Sequence, residues 1–379
     1  MRASPVQRAR KLFRFVSIYG PGRALFKAAG RLRLRLAIPT LRRNRPDVGV
    51  IGCGQFAFAT IGYFLRRHGR RIAACFDIDA SAQASFACAF GVQVQPRSAE
   101  ALLSLDGLST IYIASNHASH TPYALQCLAR GIDTYIEKPI AVSEAQLAAL
   151  IAAQRRSTAR VFAGYNRPFA GAIRMLREQM PVDPSRGITL QCFVSGHVIP
   201  PDHWYRRPDE GTRVCGNIGH WLDLLVHLLS WRGLPDRLDI TLTQADAAEP
   251  DDNLAIGISS DRCDLFSVVM SSRVEPFEGI NETINIQHYR TIAKIDDFRS
   301  LTIWQGERLV RRRFWPKDVG HRGAIGQPFG STAQRDWNEV VQSTQLMLHV
   351  ADMVRGGRRQ SAFSFRESAA RLAREIEAL

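Results

Sequence analysis

The chain has 379 residues, 45% of them apolar and 22% charged, which is enough for two domains with sizeable cores. Its formal charge of +15 sits in one segment: residues 1–46 hold 13 of the 50 Lys and Arg and no Asp or Glu, leaving 37 basic against 35 acidic residues in the body. A nearly neutral body argues against a nucleic-acid-binding fold, which carries its basic residues on the folded domain. Seven widely spaced cysteines without a CxxC suggest neither a disulfide framework nor a thiolate zinc site, and fit a reducing cytoplasm. No apolar run approaches the roughly 20 residues of a membrane span, and the N-terminus lacks the uninterrupted apolar stretch of a secretory signal.

The basic arm, residues 1–46, reads as two short amphipathic helices broken at Gly20-Pro21-Gly22. Two readings stay open: a basic amphipathic segment lying on an anionic membrane surface, or an arm packed on its own domain or on a partner subunit.

From Asp47 to about residue 165, apolar strands alternate with helical patterns. "DVGVIGCG", "RIAACFDID", "LSTIYIASN", "IDTYIEKP" and "ARVFAGYN" are strands; "FATIGYFLRRHG", "SAQASFACAFG", "SHTPYALQCLARG" and "SEAQLAALIAAQRRS" are helices. Such alternation predicts βαβ units and a parallel sheet. Over residues 166–379 the pattern changes to strands with period-two alternation, from "GITLQCFVSGHV" to "SLTIWQG", interrupted by one strong helix, "IGHWLDLLVHLLSW", and closed by two C-terminal helices. This predicts a mostly antiparallel sheet with one face covered.

The turn between the first strand and helix, "VIGCGQFAFATIG", carries chemistry. Gly52 allows the tight turn, Gly54 lets backbone approach a pyrophosphate, and Ala57 lets helix and strand pack closely. The helix N-terminus supplies N–H donors and partial positive charge. Asp77, 25 residues after Gly52 at the end of the second strand, can accept bonds from both ribose hydroxyls and repels a 2′-phosphate, which favours NAD over NADP.

Three later stretches add a specific likeness. "EKP" (Glu137–Pro139), "GYNRPF" (Gly164–Phe169) and "GNIGHWLD" (Gly216–Asp223) follow the GxGxxA turn in order. In that combination the chain from about residue 47 resembles the glucose-fructose oxidoreductase/inositol dehydrogenase (Gfo/Idh/MocA) family. "DHWYRRPDEGTRVCGNIGHWLD", "DDFRSLTI" and the arm resemble a branch associated with bacterial surface-polysaccharide biosynthesis. The resemblance implies an α/β fold with an N-terminal Rossmann domain plus a C-terminal α/β domain with a mostly antiparallel open sheet that often mediates oligomerisation. It also implies NAD(P)-linked oxidation or reduction of a sugar or nucleotide-sugar hydroxyl or ketone. Lys138 matches the family lysine that contacts nicotinamide ribose and substrate, and His220 the histidine beside the reacting carbon. Gln55, Phe56, Ser115, Asn116, His120 and Glu137 join Gly52, Gly54, Asp77 and Lys138 as candidate cofactor contacts. Tyr165, Asn166, His203, Trp204, Asn217 and Asp223 are candidate substrate contacts, with Trp204 and its neighbours offering an aromatic surface for a sugar face. No metal site is expected, because His220, Asp223 and His227 have no third strong ligand close in sequence.

The likeness breaks at one place. Many family members have an Asp four residues before the histidine, and the similar branch a Glu three before it; here Gly216 and Asn217 stand there. An amide cannot exchange a proton. Lys138 and His220 then act without an acidic partner, or Asp223 takes a new role. Besides an oxidoreductase, a redox-neutral epimerase or lyase using NAD transiently and a catalytically degraded NAD-binding scaffold of an envelope-biosynthesis complex stay open.

Overall fold

Gly20 breaks the arm where the sequence breaks. The computed structural model describes residues 5–35, 37, 45–275, 277, 279–330 and 334–379. Helix α1 (Pro5–Arg31) is kinked at Gly20, whose φ of 78° and ψ of 160° are non-helical, and Pro21 follows. Its second segment lies on the nucleotide domain: Phe26 joins Phe58, Phe64 and Phe86 in one apolar cluster, and the Gln55 amide donates to the Lys27 carbonyl at 2.9 Å. Its first segment touches the other domain, where Trp315 Nε1 donates to the Ser17 carbonyl at 2.8 Å and the Lys317 N–H to the Ile18 carbonyl at 2.8 Å. The arm thus packs on its own body and spans both domains, while Leu12, Phe13 and Leu25 stay exposed on its outer side.

The nucleotide domain follows as β1 (Val48–Ile51), a π-helical segment (Ala57–Gly62) continuing as α2 (Tyr63–Arg67), β2 (Ile72–Phe76), α3 (Ala80–Phe90), α4 (Ala99–Leu103), β3 (Thr110–Ile113), α5 (His117–Ala129), β4 (Asp133–Ile136), α6 (Glu144–Arg156) and β5 (Val161–Ala163). The strands pair in parallel in the order β2-β1-β3-β4-β5. Strands β1 and β3 are buried at every position because helices cover both faces, which is why they read as continuous apolar runs. Local signals set the helices: Asp79 caps α3 by accepting from the Ser81 and Ala82 N–H groups, and Ser143 caps α6. Such caps contribute about 1 kcal/mol each. Strand order reverses at β1, so a crevice opens between the carboxyl ends of β1 and β3.

The second domain comprises α7 (Gly171–Gln179), β6 (Ile188–Ser195), α8 (Gly219–Ser230), β7 (Arg237–Gln244), β8 (Asn253–Ser260), β9 (Leu265–Ser271), β10 (Asn281–His288), β11 (Thr291–Asp296), β12 (Ser300–Gln305), β13 (Arg308–Arg313), α9 (His321–Gly326), α10 (Trp337–Arg355), β14 (Gln360–Ser364) and α11 (Phe365–Glu377). Among the described residues the strands form one sheet in the order β13-β12-β11-β10-β6-β9-β8-β7-β14, antiparallel except for β6 beside β9. Burial alternates along β6 to β11 with one face under α8 and α10. The outer strands β13 and β14 carry little of the alternation that marks the inner ones: β13, RLVRRR, is an edge strand whose charges oppose further pairing, and only its backbone marks it as a strand.

Buried ion pairs hold α8 in place. Arg167 Nη2 donates to Glu282 at 2.9 Å, Trp221 Nε1 donates to the same carboxylate at 2.7 Å, and the Arg167 guanidinium lies 4.9 Å from the Trp221 ring centroid. Arg335 binds Asp223 bidentately at 2.9 and 3.0 Å, and the Ser343 hydroxyl donates to that carboxylate at 2.9 Å. Among the described residues no helix is long and apolar enough to cross a membrane.

Candidate active site

The crevice at the carboxyl ends of β1 and β3 is a cleft of about 670 Å³. Gly52, Gly54, Gln55 and Phe56 form its floor, Asp77 one end, Ser115, Asn116 and His120 its side, and Glu137 and Lys138 the other end. Trp204, Tyr205 and Arg207 from the second domain close it.

The two glycines of the turn differ. Gly52 has φ of 90°, and a Cβ there would lie 2.5 Å from the Ala114 carbonyl. A side chain is excluded by immovable backbone. A Cβ on Gly54 would meet nothing within 4 Å, so backbone faces open space where a pyrophosphate needs it. Asp77 accepts from the Cys53 N–H at 2.6 Å and the Asp79 N–H at 2.8 Å, which fixes its carboxylate against the turn. Asp79 is spent on capping α3 and pairing with Arg33 at 2.5 Å. Open space over Gly54, the helix start and the fixed carboxylate fit a dinucleotide.

At the opposite end Lys138 Nζ donates to the Gly216 carbonyl at 2.8 Å. Burial lowers its pKa, and Arg167 adds to this while Glu137 opposes it. The Glu137 carboxyl is pushed up to about 7 by burial; it accepts from the Tyr135 hydroxyl at 3.1 Å and the Lys138 N–H at 3.0 Å. His120 sets Nδ1 2.8 Å from the Pro139 carbonyl and Nε2 3.1 Å from the Ser115 carbonyl. Burial brings its pKa down to about 4, so the ring is neutral at pH 7 and one nitrogen donates. Asn116 and the Ala118 N–H both donate to the Glu210 carboxylate, the latter at 2.9 Å. A carboxylate from the second domain thereby sits at the start of α5, where the helix dipole favours it.

His220 does not line the cleft. It is buried on α8, its Nδ1 has no partner among the described residues, and burial followed by Arg167 and Lys138 holds its pKa well below the usual histidine value. Of the candidate substrate contacts only Trp204 reaches the cleft wall. His203 starts the turn that carries Trp204, accepting from the Tyr205 N–H at 3.3 Å. Asn217 receives Arg213 Nε at 3.4 Å.

Three of the candidate substrate contacts have partners outside the cleft. Tyr165 is buried with its hydroxyl 3.5 Å from Met347 Sδ. Asn166 donates to the Val319 carbonyl at 2.7 Å and accepts from Arg167. Asp223 is neutralised by Arg335. These contacts order the junction between the domains and the packing of α8 on α10, and none of the three residues lines this cleft.

Sequence reasoning left out Arg207, Glu210 and His321, assigned His117 no particular contact, and gave Tyr205 only a share in the aromatic surface around Trp204. His117 Nδ1 meets the Glu210 carbonyl at 3.1 Å, and its ring packs on Trp204 and Tyr205. His321, at the start of α9, contacts the Phe56 ring with centroids 5.6 Å apart. Nothing in "GHRGAIG" signals this, because only the tertiary fold brings α9 to the turn. The loop bearing Trp204 is anchored by an ion network: Arg206 binds Glu249 and Asp252, and Arg213 binds Asp252 at 2.6 Å and, through its N–H, Asp251 at 2.5 Å. The acidic group Glu249, Asp251 and Asp252 therefore serves as its anchor.

A Gly-rich turn over a parallel sheet, a fixed acid at the second strand and a lysine at the far end of one cleft define a dinucleotide-binding protein of the Rossmann class. Residues 47–165 match the Gfo/Idh/MocA family model, described as an oxidoreductase family with an NAD-binding Rossmann fold. It is similar to Oxidoreductase P35 of Formosa agariphila, with 30% identity over 157 residues, 41% of this chain and 46% of that protein. It is also similar to a protein of Amycolatopsis mediterranei named as a candidate oxidoreductase subunit of UDP-kanosamine synthase, with 28% identity over 169 residues, 44% of this chain and 46% of that protein. Both matches span less than half the length of those curated relatives. Among solved structures, GenD2 from gentamicin A biosynthesis in complex with NAD superposes with a TM-score of 0.70 at 18% identity, over 86% of this chain and 99% of that one, which shows the shared two-domain fold.

Proposed function

We propose that the protein transfers hydride between a nicotinamide cofactor and a hydroxyl-bearing carbon of a sugar or nucleotide-sugar, in surface-polysaccharide biosynthesis. The observation that carries this reading is the shared cleft: Gly54 and Asp77 lie at one end and Lys138 at the other. The sugar assignment is supported by the printed descriptions of two similar proteins, one tied to gentamicin A biosynthesis and one to UDP-kanosamine synthase. Asp77 would hold the adenosine ribose and favours NAD, since its carboxylate repels a 2′-phosphate. Gly52, Gly54, Gln55 and Phe56 would take the pyrophosphate; Ser115, Asn116, His120 and Glu137 would flank the nicotinamide. When bound, the cofactor supplies or accepts the hydride. Lys138 would orient the reacting hydroxyl and stabilise charge on its oxygen, and burial, which lowers its pKa, would make its proton easier to share. The unpartnered Nδ1 of buried His220 offers a further polar group toward the same region. Trp204 gives a flat face for the sugar.

The test begins with purified protein, denatured and assayed by mass spectrometry for released NAD(H) or sugar nucleotide. NADH and NADPH are then titrated by fluorescence, and UDP-glucose and UDP-N-acetylglucosamine are offered with NAD⁺. Retained or tightly bound NAD(H) and cofactor reduction by a sugar nucleotide are expected. Absence of nicotinamide binding sinks the oxidoreductase reading; NAD(H) binding without turnover of any sugar nucleotide leaves the NAD-binding scaffold reading, which the missing carboxylate at Gly216 and Asn217 supports. Product formed without net NADH points to the epimerase or lyase reading.

The arm supports a second, spatial reading: a cytoplasmic enzyme resting on an anionic membrane face, with self-association through the open sheet. Exposed Leu12, Phe13 and Leu25 lie among arginines, and Trp315 beside the arm is 68% exposed. Basic residues with interfacial aromatics favour such a surface. Flotation with phosphatidylglycerol vesicles, lost in Phe13→Glu, is the expected result; equal flotation removes the membrane contact.

A further inference from the structure

The carboxylate missing from Gly216 has a physical reason, and it points to a replacement. A Cβ at Gly216 would lie 2.8 Å from Tyr205 Cε2, 3.3 Å from Tyr205 Cζ and 2.8 Å from His117 Cε1. The phenol and imidazole rings occupy the space that a carboxylate-bearing side chain would need. Lys138 Nζ holds the carbonyl of the same residue at 2.8 Å. Lysine and phenol therefore flank one glycine, the first on its carbonyl and the second against its Cα, and both line the cofactor cleft.

The ring is firmly seated. Tyr205 packs on His117 with centroids 4.6 Å apart and on Trp204 at 4.3 Å. Its N–H donates to His203, and Arg206 next to it is tied to the Ile199 carbonyl at 2.7 Å and to Asp252 at 2.9 Å. The hydroxyl makes no hydrogen bond with any described residue, so the one polar atom of an otherwise packed side chain is left for a ligand.

We propose that Tyr205 takes the place of the absent carboxylate as the proton-exchanging partner of Lys138, an assignment that rests on the oxidoreductase reading above. In the reducing direction bound reduced nicotinamide supplies the hydride that makes the new C–H bond. The chain supplies the proton: the phenol O–H breaks, its proton passes to the substrate oxygen, and the electron pair stays on the phenolate oxygen, stabilised by the nearby Lys138 ammonium and re-protonated from water in the cleft. Oxidation runs the same transfer in reverse. Burial pushes the Tyr205 pKa up to about 12, with Glu137 and Glu210 adding to the rise and Arg213 opposing it. Lys138, His117, His203, His120 and Arg207 are further charged or titratable groups beside the ring or on the same cleft. The phenol is thus held protonated at neutral pH, the form a proton donor needs.

The test separates the hydroxyl from the ring. Tyr205→Phe keeps the contacts with Gly216, His117 and Trp204; Tyr205→Leu removes them. Three quantities are measured on each: NADH affinity by fluorescence, UDP-glucose affinity for the NADH-loaded protein by calorimetry, and the pH dependence of kcat and KM with whichever sugar nucleotide the wild type turns over. For Tyr205→Phe the expected results are NADH affinity within twofold of wild type, about fivefold or more weaker sugar-nucleotide binding, a kcat on the order of 10²-fold lower, and an altered alkaline limb. Wild-type behaviour of Tyr205→Phe with impairment only in Tyr205→Leu assigns the ring a packing role and overturns the proposal, as does wild-type behaviour of both. In these cases the oxidoreductase reading stands. A wild type that binds no nicotinamide overturns both together.

Discussion

On the nucleotide side of the cleft four wall residues follow the carboxyl ends of parallel strands: Gly52 after β1, Asp77 after β2, Ser115 after β3 and Lys138 after β4. On the facing side Trp204, Tyr205 and Arg207 come from a loop with no element longer than a single 3-10 turn, held by ion pairs to Glu249, Asp251 and Asp252. The first wall is fixed by backbone and is therefore constrained in sequence. The second is fixed by side chains far away in sequence and is free to change what it recognises. The contrast teaches where this scaffold keeps its chemistry and where it keeps its selectivity.

The largest effect that would break this comparison comes at the residue joining the two walls. Lys138→Met is expected to lower kcat by about 10³-fold while NADH affinity falls less than tenfold. Turnover near wild type would remove Lys138 from the chemistry. Asp223→Ala should leave NADH affinity unchanged and cost about 1–3 kcal/mol of stability, because buried Arg335 and Ser343 lose an acceptor and Arg335 keeps only Glu339; denaturant unfolding reads the loss. A Tm close to wild type with weakened sugar binding would return Asp223 to the substrate side.

Glu137 gives a pH signature of the nucleotide wall. Its folded pKa of about 7 lies above the ordinary value of 4.5, so the folded state holds a proton that the unfolded state has lost. Stability from this group is present below about pH 4.5 and declines as pH rises to about 7, by up to about 3 kcal/mol. Melting curves of Glu137→Gln across that window should lack this contribution; an unchanged slope would show that the carboxyl ionises freely. The smallest effect is selectivity: Asp77→Ala should narrow the preference for NADH over NADPH by roughly tenfold, about 1.4 kcal/mol, read by paired fluorescence titrations.

The same division decided what the sequence could reveal. The parallel sheet, its turn and the acid at Asp77 were legible because glycine placement, strand burial and cap residues are local properties. Every cofactor contact named from the sequence lines the cleft. Among the proposed substrate contacts, Tyr165, Asn166 and Asp223 have hydrogen-bond partners that no local pattern reveals, because Met347, Val319 and Arg335 lie more than 100 residues away. Tyr205 stood inside a quoted aromatic stretch, yet its closeness to Gly216 depends on how a loop folds over a helix start. Strand β13 was missed for a related reason: an exposed arginine edge has no buried face to impose period two.

The arm has a consequence for how the molecule is made. Ser17 accepts from Trp315, 298 residues further on, so at about 5–20 residues per second the first half of α1 waits roughly 15–60 s on the ribosome for its seat. The apolar face of the second half meets Phe58 to Phe90 and can dock soon after they emerge. During that interval half of a basic, apolar helix is left beside a domain already forming, and the segment after β13 that carries Trp315 and Lys317 is what finally seats it.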